Sequence, residues 1–333
     1  MPVSAYAALA QGQPLSPFTY DPGELQPQEV EIAITHCGIC HTDVHLIDND
    51  FGISAFPLVP GHEIVGLVTR AGAAAGNLQV GQRVGVGWQK GACMSCEWCA
   101  QGAQNLCAQA LPTCLAGYGG FATSIRVDSR FALPIPDGLD SAVAAPMLCG
   151  GVTVYSPLSR RVRPGARVGV IGIGGLGHLA LQFARAMGAE VFAFSTSPSK
   201  EEEAGRYGAH HFVLSSDANQ MQKAGRSLDF LLDTATGTLD WPAWLATLRP
   251  NGTFCLVGAP SGPIMLSAMQ MIFGQLRFEA SVVGSPSQIA EMFRFAANHN
   301  VRTAVEVVPL AEVNAALAKV RKYEARYRMV LAV

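Results

Sequence analysis

Apolar residues in the N-terminal part of the chain fall into short runs. Val30, Ile32 and Ile34 take every second position, Ile64 to Val68 forms another run, and Gly81 to Gly87 reads as a turn followed by a strand. Glycines punctuate these runs, and the pattern predicts a β-rich, barrel-like unit. From Arg167 onward the pattern changes. Apolar runs at Val168–Ile171, Val191–Ser195, Phe230–Asp233 and Thr253–Val257 alternate with helical stretches, which predicts a parallel sheet covered by helices. The first of these helices, Leu176–Met187, puts Leu179, Phe183, Ala186 and Met187 on one face and stops at Gly188. Beyond Ser285, helical segments at Pro286–Asn298 and Leu310–Tyr323 precede an apolar end, Met329–Val333.

Composition narrows the function classes. The 333 residues are 49% hydrophobic and only 14% charged, with 35 glycines, which suits a turn-rich protein with a substantial core and excludes a disordered one. A formal charge of -2 without any dense Lys/Arg cluster leaves no electrostatic footprint for a nucleic acid. Met1 to Gln13 has neither the basic start nor the apolar core of a signal peptide. The longest uncharged run, Val168 to Ala184, is interrupted by glycines, His178 and Gln182, so a cytoplasmic protein with no membrane span is expected. In such a chain nine cysteines point to metal or redox chemistry rather than disulfides.

Cys93, Cys96, Cys99 and Cys107 have the spacing C-x2-C-x2-C-x7-C. A loop this short can wrap four thiolates around one tetrahedral ion and leave no place for a substrate, which predicts a structural zinc. Four unrelated thiols and an iron–sulfur cluster are the competing readings. A zinc ribbon for nucleic acid is a third, but Trp88, Lys90, Glu97, Trp98 and Gln101 around the loop make no basic stripe. A second constellation is dispersed: T-H-C-G-I-C-H-T-D-V-H, then P-G-H-E, and far downstream Cys149. A catalytic zinc takes three protein ligands and keeps one position open, and spacing alone does not choose the three. The alternatives here are a Cys37/Cys40 redox pair, or solvent-facing histidines beside buried cysteines.

Gly172-Ile173-Gly174-Gly175-Leu176-Gly177 lies between a strand and a helix, with another strand at Val191. That is the context a dinucleotide fingerprint needs, because bare backbone lets a pyrophosphate approach the positive end of the helix. The next strand ends in Ser195-Thr196-Ser197-Pro198-Ser199-Lys200, without the carboxylate that usually holds an unmodified adenosine ribose. Hydroxyls and an ammonium there favour the 2'-phosphate of NADP. Ser199 to Glu202 also reads as a capping box opening the next helix.

These motifs, with F-P-L-V-P-G-H-E-I-V-G and the terminal A-R-Y-R-M-V-L, make the chain resemble the zinc-dependent medium-chain alcohol dehydrogenases, in their cinnamyl alcohol dehydrogenase-like, NADP-preferring branch. The likeness runs over essentially the whole sequence. It implies a GroES-like β-barrel catalytic domain from residues 1–150 and 286–333, with a Rossmann domain of doubly wound parallel sheet, residues 151–285, inserted in it. It assigns the catalytic zinc to Cys40, His62 and Cys149 and leaves Cys37 out. Glu63 would lie behind the metal and Asp43 on the other nitrogen of His62, with Thr42 and His45 relaying a proton. Thr153 would pack on the nicotinamide, while His41 and Arg328 would meet the pyrophosphate. Trp88, Leu46, Phe51 and Phe56 would wall the substrate pocket, each with ordinary core packing as its alternative. Two departures stand out: Glu201 replaces a second basic residue after Lys200, and Phe51 stands where tryptophan is common.

The implied activity is hydride transfer between NADP(H) and primary alcohols or aldehydes, aromatic or allylic as well as aliphatic, with two zinc ions per subunit. An NAD-linked alcohol or polyol dehydrogenase of the same superfamily and a zinc-ribbon interaction protein are the alternatives. Analogy also implies a homodimer joined at the Rossmann sheet edge near Phe278 to Gly284, with a tetramer as the larger assembly.

Overall fold

The computed structural model describes residues 2–260 and 262–333. They form two units, one that ends at Val152 and resumes at Val283, and one from Thr153 to Val282. The first contributes β1 (Val3–Ala7), β2 (Ser16–Tyr20), β3 (Glu29–Ile39), β4 (Glu63–Ala71), β5 (Arg83–Val86), β6 (Gln89–Gly91), β7 (Leu111–Pro112), β8 (Ser124–Asp128) and β9 (Leu133–Pro134). The second contributes β10 (Arg167–Ile171), β11 (Glu190–Ser195), β12 (His211–Leu214), β13 (Leu228–Asp233), β14 (Leu248–Leu256) and β15 (Arg277–Ala280). Back in the first unit, β16 (Val305–Pro309) and β17 (Arg328–Ala332) follow the helix Pro286–His299.

The main sheet of the first unit runs β16-β17-β3-β4-β5-β9, with β8 also paired to β3. The two-residue apolar period has a direct cause: Val30, Ile32 and Ile34 face the core, and full burial of each such side chain is worth about 1.5–3 kcal/mol. At Cys37–Ile39 the alternation gives way to three successive buried residues, where β4 pairs with one edge of β3 and β17 with the other. Register decides what gathers at that end. Gly38 pairs with Glu63 and Ile39 with Met329, so the residues just beyond β3 meet the start of β4 and the start of β17.

The second unit is a wholly parallel sheet ordered β12-β11-β10-β13-β14-β15. Its strand order reverses between β10 and β13, which places a crevice for a ligand at the carboxyl ends of those strands. Phe194, Trp241, Trp244 and Phe254 fill the core on one side of it. Among the described residues no single helix is long and apolar enough to cross a membrane.

Asp233 closes β13 fully buried, accepting a hydrogen bond from the Ala235 N–H at 3.0 Å while its second oxygen has no partner. Burial pushes its carboxyl up to about 6, against the pull of that one hydrogen bond. A carboxyl raised on folding stabilises the fold in its protonated form below its unfolded value, and this is lost as pH rises through the folded value. Between pH 4 and pH 7 the wild type is expected to lose about 2–3 kcal/mol on this group. Asp233→Asn should lack that loss, so the stability difference from wild type grows over the same interval in denaturant unfolding. Parallel pH profiles would refute the assignment.

Candidate metal and dinucleotide sites

Cys40 follows β3 and caps the helix His41–Asp48 from an extended conformation. Its backbone N–H donates to Asp43 Oδ2 at 2.9 Å. Asp43 Oδ1 accepts from the Gly61 N–H at 2.9 Å and lies 3.0 Å from His62 Nδ1. One buried carboxylate thus ties the end of β3 to the start of β4 and fixes the His62 ring, leaving Nε2 as its free lone pair. That Nε2 is buried and has no hydrogen-bond partner among the described residues. Cys40, His62, Cys149 and Glu63 each present one ligand atom, all within 4.8 Å of one another. An orphaned imidazole nitrogen beside two thiols fits a zinc ion, which takes nitrogen and sulfur donors readily.

The buried groups of this cluster perturb one another strongly. A hydrogen bond from Cys149 holds the Cys40 thiol well below the usual range, and His62 and Arg328 add to this against burial. Cys149 is pushed up in return, first by the same bond and then by burial. Burial would lower the His62 imidazole, but Asp43 and Cys149 outweigh it and raise it. Burial also raises Glu63, against the pull of Arg328. Trp88 stands edge-on to His62, with ring centres 5.2 Å apart and planes at 89°.

Cys93, Cys96, Cys99 and Cys107 form a second group, again with all sulfurs within 4.8 Å. Cys93 lies 3.9 Å from Cys99 and 3.5 Å from Cys107. The backbone N–H groups of Ser95 and Cys96, aided by Cys107, hold the Cys93 thiol down at about 6. A preformed thiolate among three further thiols fits a four-sulfur zinc site.

In the second unit the glycine turn leaves β10 through Gly172, whose φ is +85°. A Cβ on Gly177 would lie 1.9 Å from the Gly172 carbonyl oxygen, so only glycine lets the helix Gly177–Ala186 start this close to the strand. Gly174 has nothing within 4 Å of where its side chain would be, which leaves bare backbone for a ligand beside Gly175 and Leu176. At the end of β11, Ser195 Oγ accepts from the Ser197 N–H at 3.1 Å, and Thr196 is exposed. Lys200 pairs with Glu203 at 3.3 Å. The expected capping box is absent. The helix Glu201–Arg206 starts behind a tight turn with Lys200 at its cap, and the Ser199 hydroxyl is engaged with Ser197 at 2.9 Å instead.

The other predicted residues take the following places. Arg328, which the resemblance assigns to the pyrophosphate, is buried with its guanidinium paired to Glu63, and β17 carries it beside the end of β3. Leu46 is fully enclosed in the core of the first unit. Phe56 is partly buried against that core, and Phe51 is half exposed beside His45, 5.2 Å between ring centres. Thr42 Oγ1 lies 3.6 Å from Cys40 Sγ, and Thr153 opens the second unit, buried. Cys37 stands outside both metal groups. Its thiol, raised by burial above all, stays protonated, the opposite of what a redox nucleophile needs.

Some neighbours had no signal in the sequence. Asp50 holds His45 Nδ1 at 2.7 Å, Tyr323 stacks on His41 with ring centres 4.5 Å apart, and buried Cys114 packs beside Asp43 and His62. Tyr323 and Cys114 are brought in from distant segments, and nothing local announces them.

The family model described as alcohol dehydrogenase GroES-like domain matches residues 26–137, and that described as zinc-binding dehydrogenase matches residues 175–298. Aldehyde reductase AdhA of Synechocystis sp. is 44% identical over 330 residues, covering 99% of this chain and 98% of that protein. The chain belongs to the zinc-binding alcohol dehydrogenases. It has the family's two-domain fold, GroES-like with a Rossmann-type nucleotide-binding domain, and the family's alcohol dehydrogenase or aldehyde reductase activity. Cinnamyl alcohol dehydrogenase SbCAD4 of Sorghum bicolor superposes with a TM-score of 0.95 at 38% identity, covering 100% of this chain and 98% of that one. A cinnamyl alcohol dehydrogenase (CAD) of Helicobacter pylori, solved with NADP(H), gives 0.91 at 28% identity, with 100% and 98% covered.

Proposed function

We propose that this dehydrogenase is an NADP(H)-dependent aldehyde reductase of aromatic, allylic and aliphatic aldehydes, run in reverse as an alcohol dehydrogenase. The observation that carries it is the unpartnered His62 Nε2 within 4.8 Å of the Cys40 and Cys149 sulfurs. Those three residues would hold a zinc ion, which as a Lewis acid polarises the carbonyl that accepts hydride. Asp43 keeps the His62 ring in the tautomer that presents Nε2. Buried Glu63, neutralised by Arg328, stands behind the sulfurs. Thr42 passes the proton taken up by the reduced oxygen, and His45 exchanges it with solvent. With Nδ1 held by Asp50, His45 offers Nε2 for that exchange. Trp88 and Phe51 bound the substrate, and the Cys93 to Cys107 sulfurs hold a second, structural zinc.

The absence of a carboxylate after β11, with Ser195, Thr196, Ser197 and Lys200 in its place, supports NADP(H). Lys200 shares its charge with Glu203, so the preference is one of degree. Oxidation of NADPH and NADH should be compared over aliphatic, benzylic and cinnamyl aldehydes, with metal measured on the same sample. Faster turnover with NADH would give the NAD-linked alternative. Lys200→Ala is expected to raise the KM for NADPH about tenfold and leave that for NADH unchanged, the loss of one charge-assisted hydrogen bond.

Nine cysteines, none in a disulfide, suit a reducing compartment such as the cytoplasm. The edge strand β15 has no neighbour beyond it, and the adjoining helix Ala268–Gly274 exposes Met269, Ile272 and Phe273. Both features support a homodimer closed across that edge.

A further inference from the structure

The first unit holds a second cavity, of about 410 Å3, lined by none of the metal-site residues. That volume falls in the range of small-molecule pockets, roughly 300–1,000 Å3. One wall is aromatic. Tyr20 and Tyr118 line it with ring centres 4.2 Å apart. Two cations line the cavity, and they differ. Arg126 is engaged by Glu31 and donates to the carbonyls of Pro22 and Gly23. Lys90, on β6, has neither a hydrogen bond nor an ion pair among the described residues.

The chain carries only five lysines. Lys200 and Lys319 are paired with glutamates, and Lys223 and Lys322 are exposed. Lys90 alone is half-buried in an aromatic cavity. Its amine sits over bare backbone: a Cβ on Gly117, whose φ is +120°, would lie 2.9 Å from Lys90 Nζ. Burial lowers the ammonium below the lysine range, against the weaker opposing influence of Cys114 and Glu29, and so increases the share of free amine. Asp21, Glu24 and Glu29 also line the cavity and repel anions, while the tyrosine wall suits a flat, neutral body.

We propose that Lys90 is a carbonyl-reactive lysine that takes neutral aromatic aldehydes as imines in this cavity. The amine nitrogen bonds to the carbonyl carbon, the carbonyl oxygen leaves as water with the two protons the amine gives up, and a carbon–nitrogen double bond remains. No oxidant or reductant is consumed. The proposal goes beyond the reductase reading and does not depend on it.

The full-length protein, without dinucleotide, is treated with benzaldehyde and sodium cyanoborohydride, which fixes the imine as a secondary amine, and labelling is followed lysine by lysine by peptide mass. Lys90 should label several-fold faster than Lys223 and Lys322, because its amine is unpaired and the cavity holds the aldehyde beside it. Labelling no faster than at those two overturns the proposal. Lys90→Arg keeps the charge and should abolish the fast phase, and a fast phase that survives it also overturns the proposal. 4-Carboxybenzaldehyde should label Lys90 more slowly than benzaldehyde, and equal rates refute the choice of a neutral ligand. Because no dinucleotide is present, a failure of NADPH oxidation leaves this result standing, and the reverse holds too.

Discussion

His62→Ala is expected to lower aldehyde reduction by about 10^3-fold or more and to remove one of two bound metal ions, while the protein stays folded. Loss of several kcal/mol of transition-state charge stabilisation gives that factor, since each 1.36 kcal/mol is tenfold. The fold should survive because His62 contributes no backbone ladder bond that alanine cannot make, and because Asp43 keeps its bonds from the Cys40 and Gly61 N–H groups. Asp43→Asn should be milder, a loss of about 10–100-fold, the usual cost of an outer partner of a metal-binding histidine. The two variants separate the roles, because alanine at 62 deletes a donor atom whereas asparagine at 43 weakens the hold on the ring that presents it. Activity within tenfold of wild type in His62→Ala, on protein of measured metal content, would remove the site from the reaction.

The parts of this molecule legible in its sequence are those built from local spacing. The glycine turn needs only a strand before it and a helix after it, and both are present at Arg167–Ile171 and Gly177–Ala186. The four-cysteine loop is equally local. The dispersed site is not: spacing could not choose among Cys37, Cys40, His41, His45 and His62, because the choice is made by the pairing of Gly38 with Glu63. The resemblance assigns the three ligands, and the Glu63 partner of Arg328, 265 residues away, is set by the alignment of β17 with β3, which no local pattern announces. Leu46 is equally undecided by spacing. An aliphatic residue beside a site reads as pocket or core with equal ease, and only the burial of its helix face decides. Lys90 drew notice only as a flanking charge, since its isolation depends on Arg126 and Glu29 satisfying or missing partners far along the chain.

The four-cysteine lobe carries the second large effect, and it falls on stability. Replacing Cys99 and Cys107 with serine is expected to cost about 3–5 kcal/mol and to lower the melting temperature by roughly 10 °C, the scale of losing a structural metal. The reason lies in how little else holds the segment. Its helix, Glu97–Ala100, spans four residues, its tight turn Gln104–Leu106 buries none of them, and Trp98 and Leu106 stay exposed. With so small a core, bonds from four sulfurs to one ion would replace the burial that a larger lobe has. Chelation should therefore act in two stages: loss of an ion at His62 abolishes turnover without unfolding, and loss of an ion at the four cysteines opens the 93–107 segment to proteolysis. An unchanged melting temperature in the double serine variant, with metal content also unchanged, would mean that these sulfurs hold no ion and that the lobe is stabilised by its packing alone.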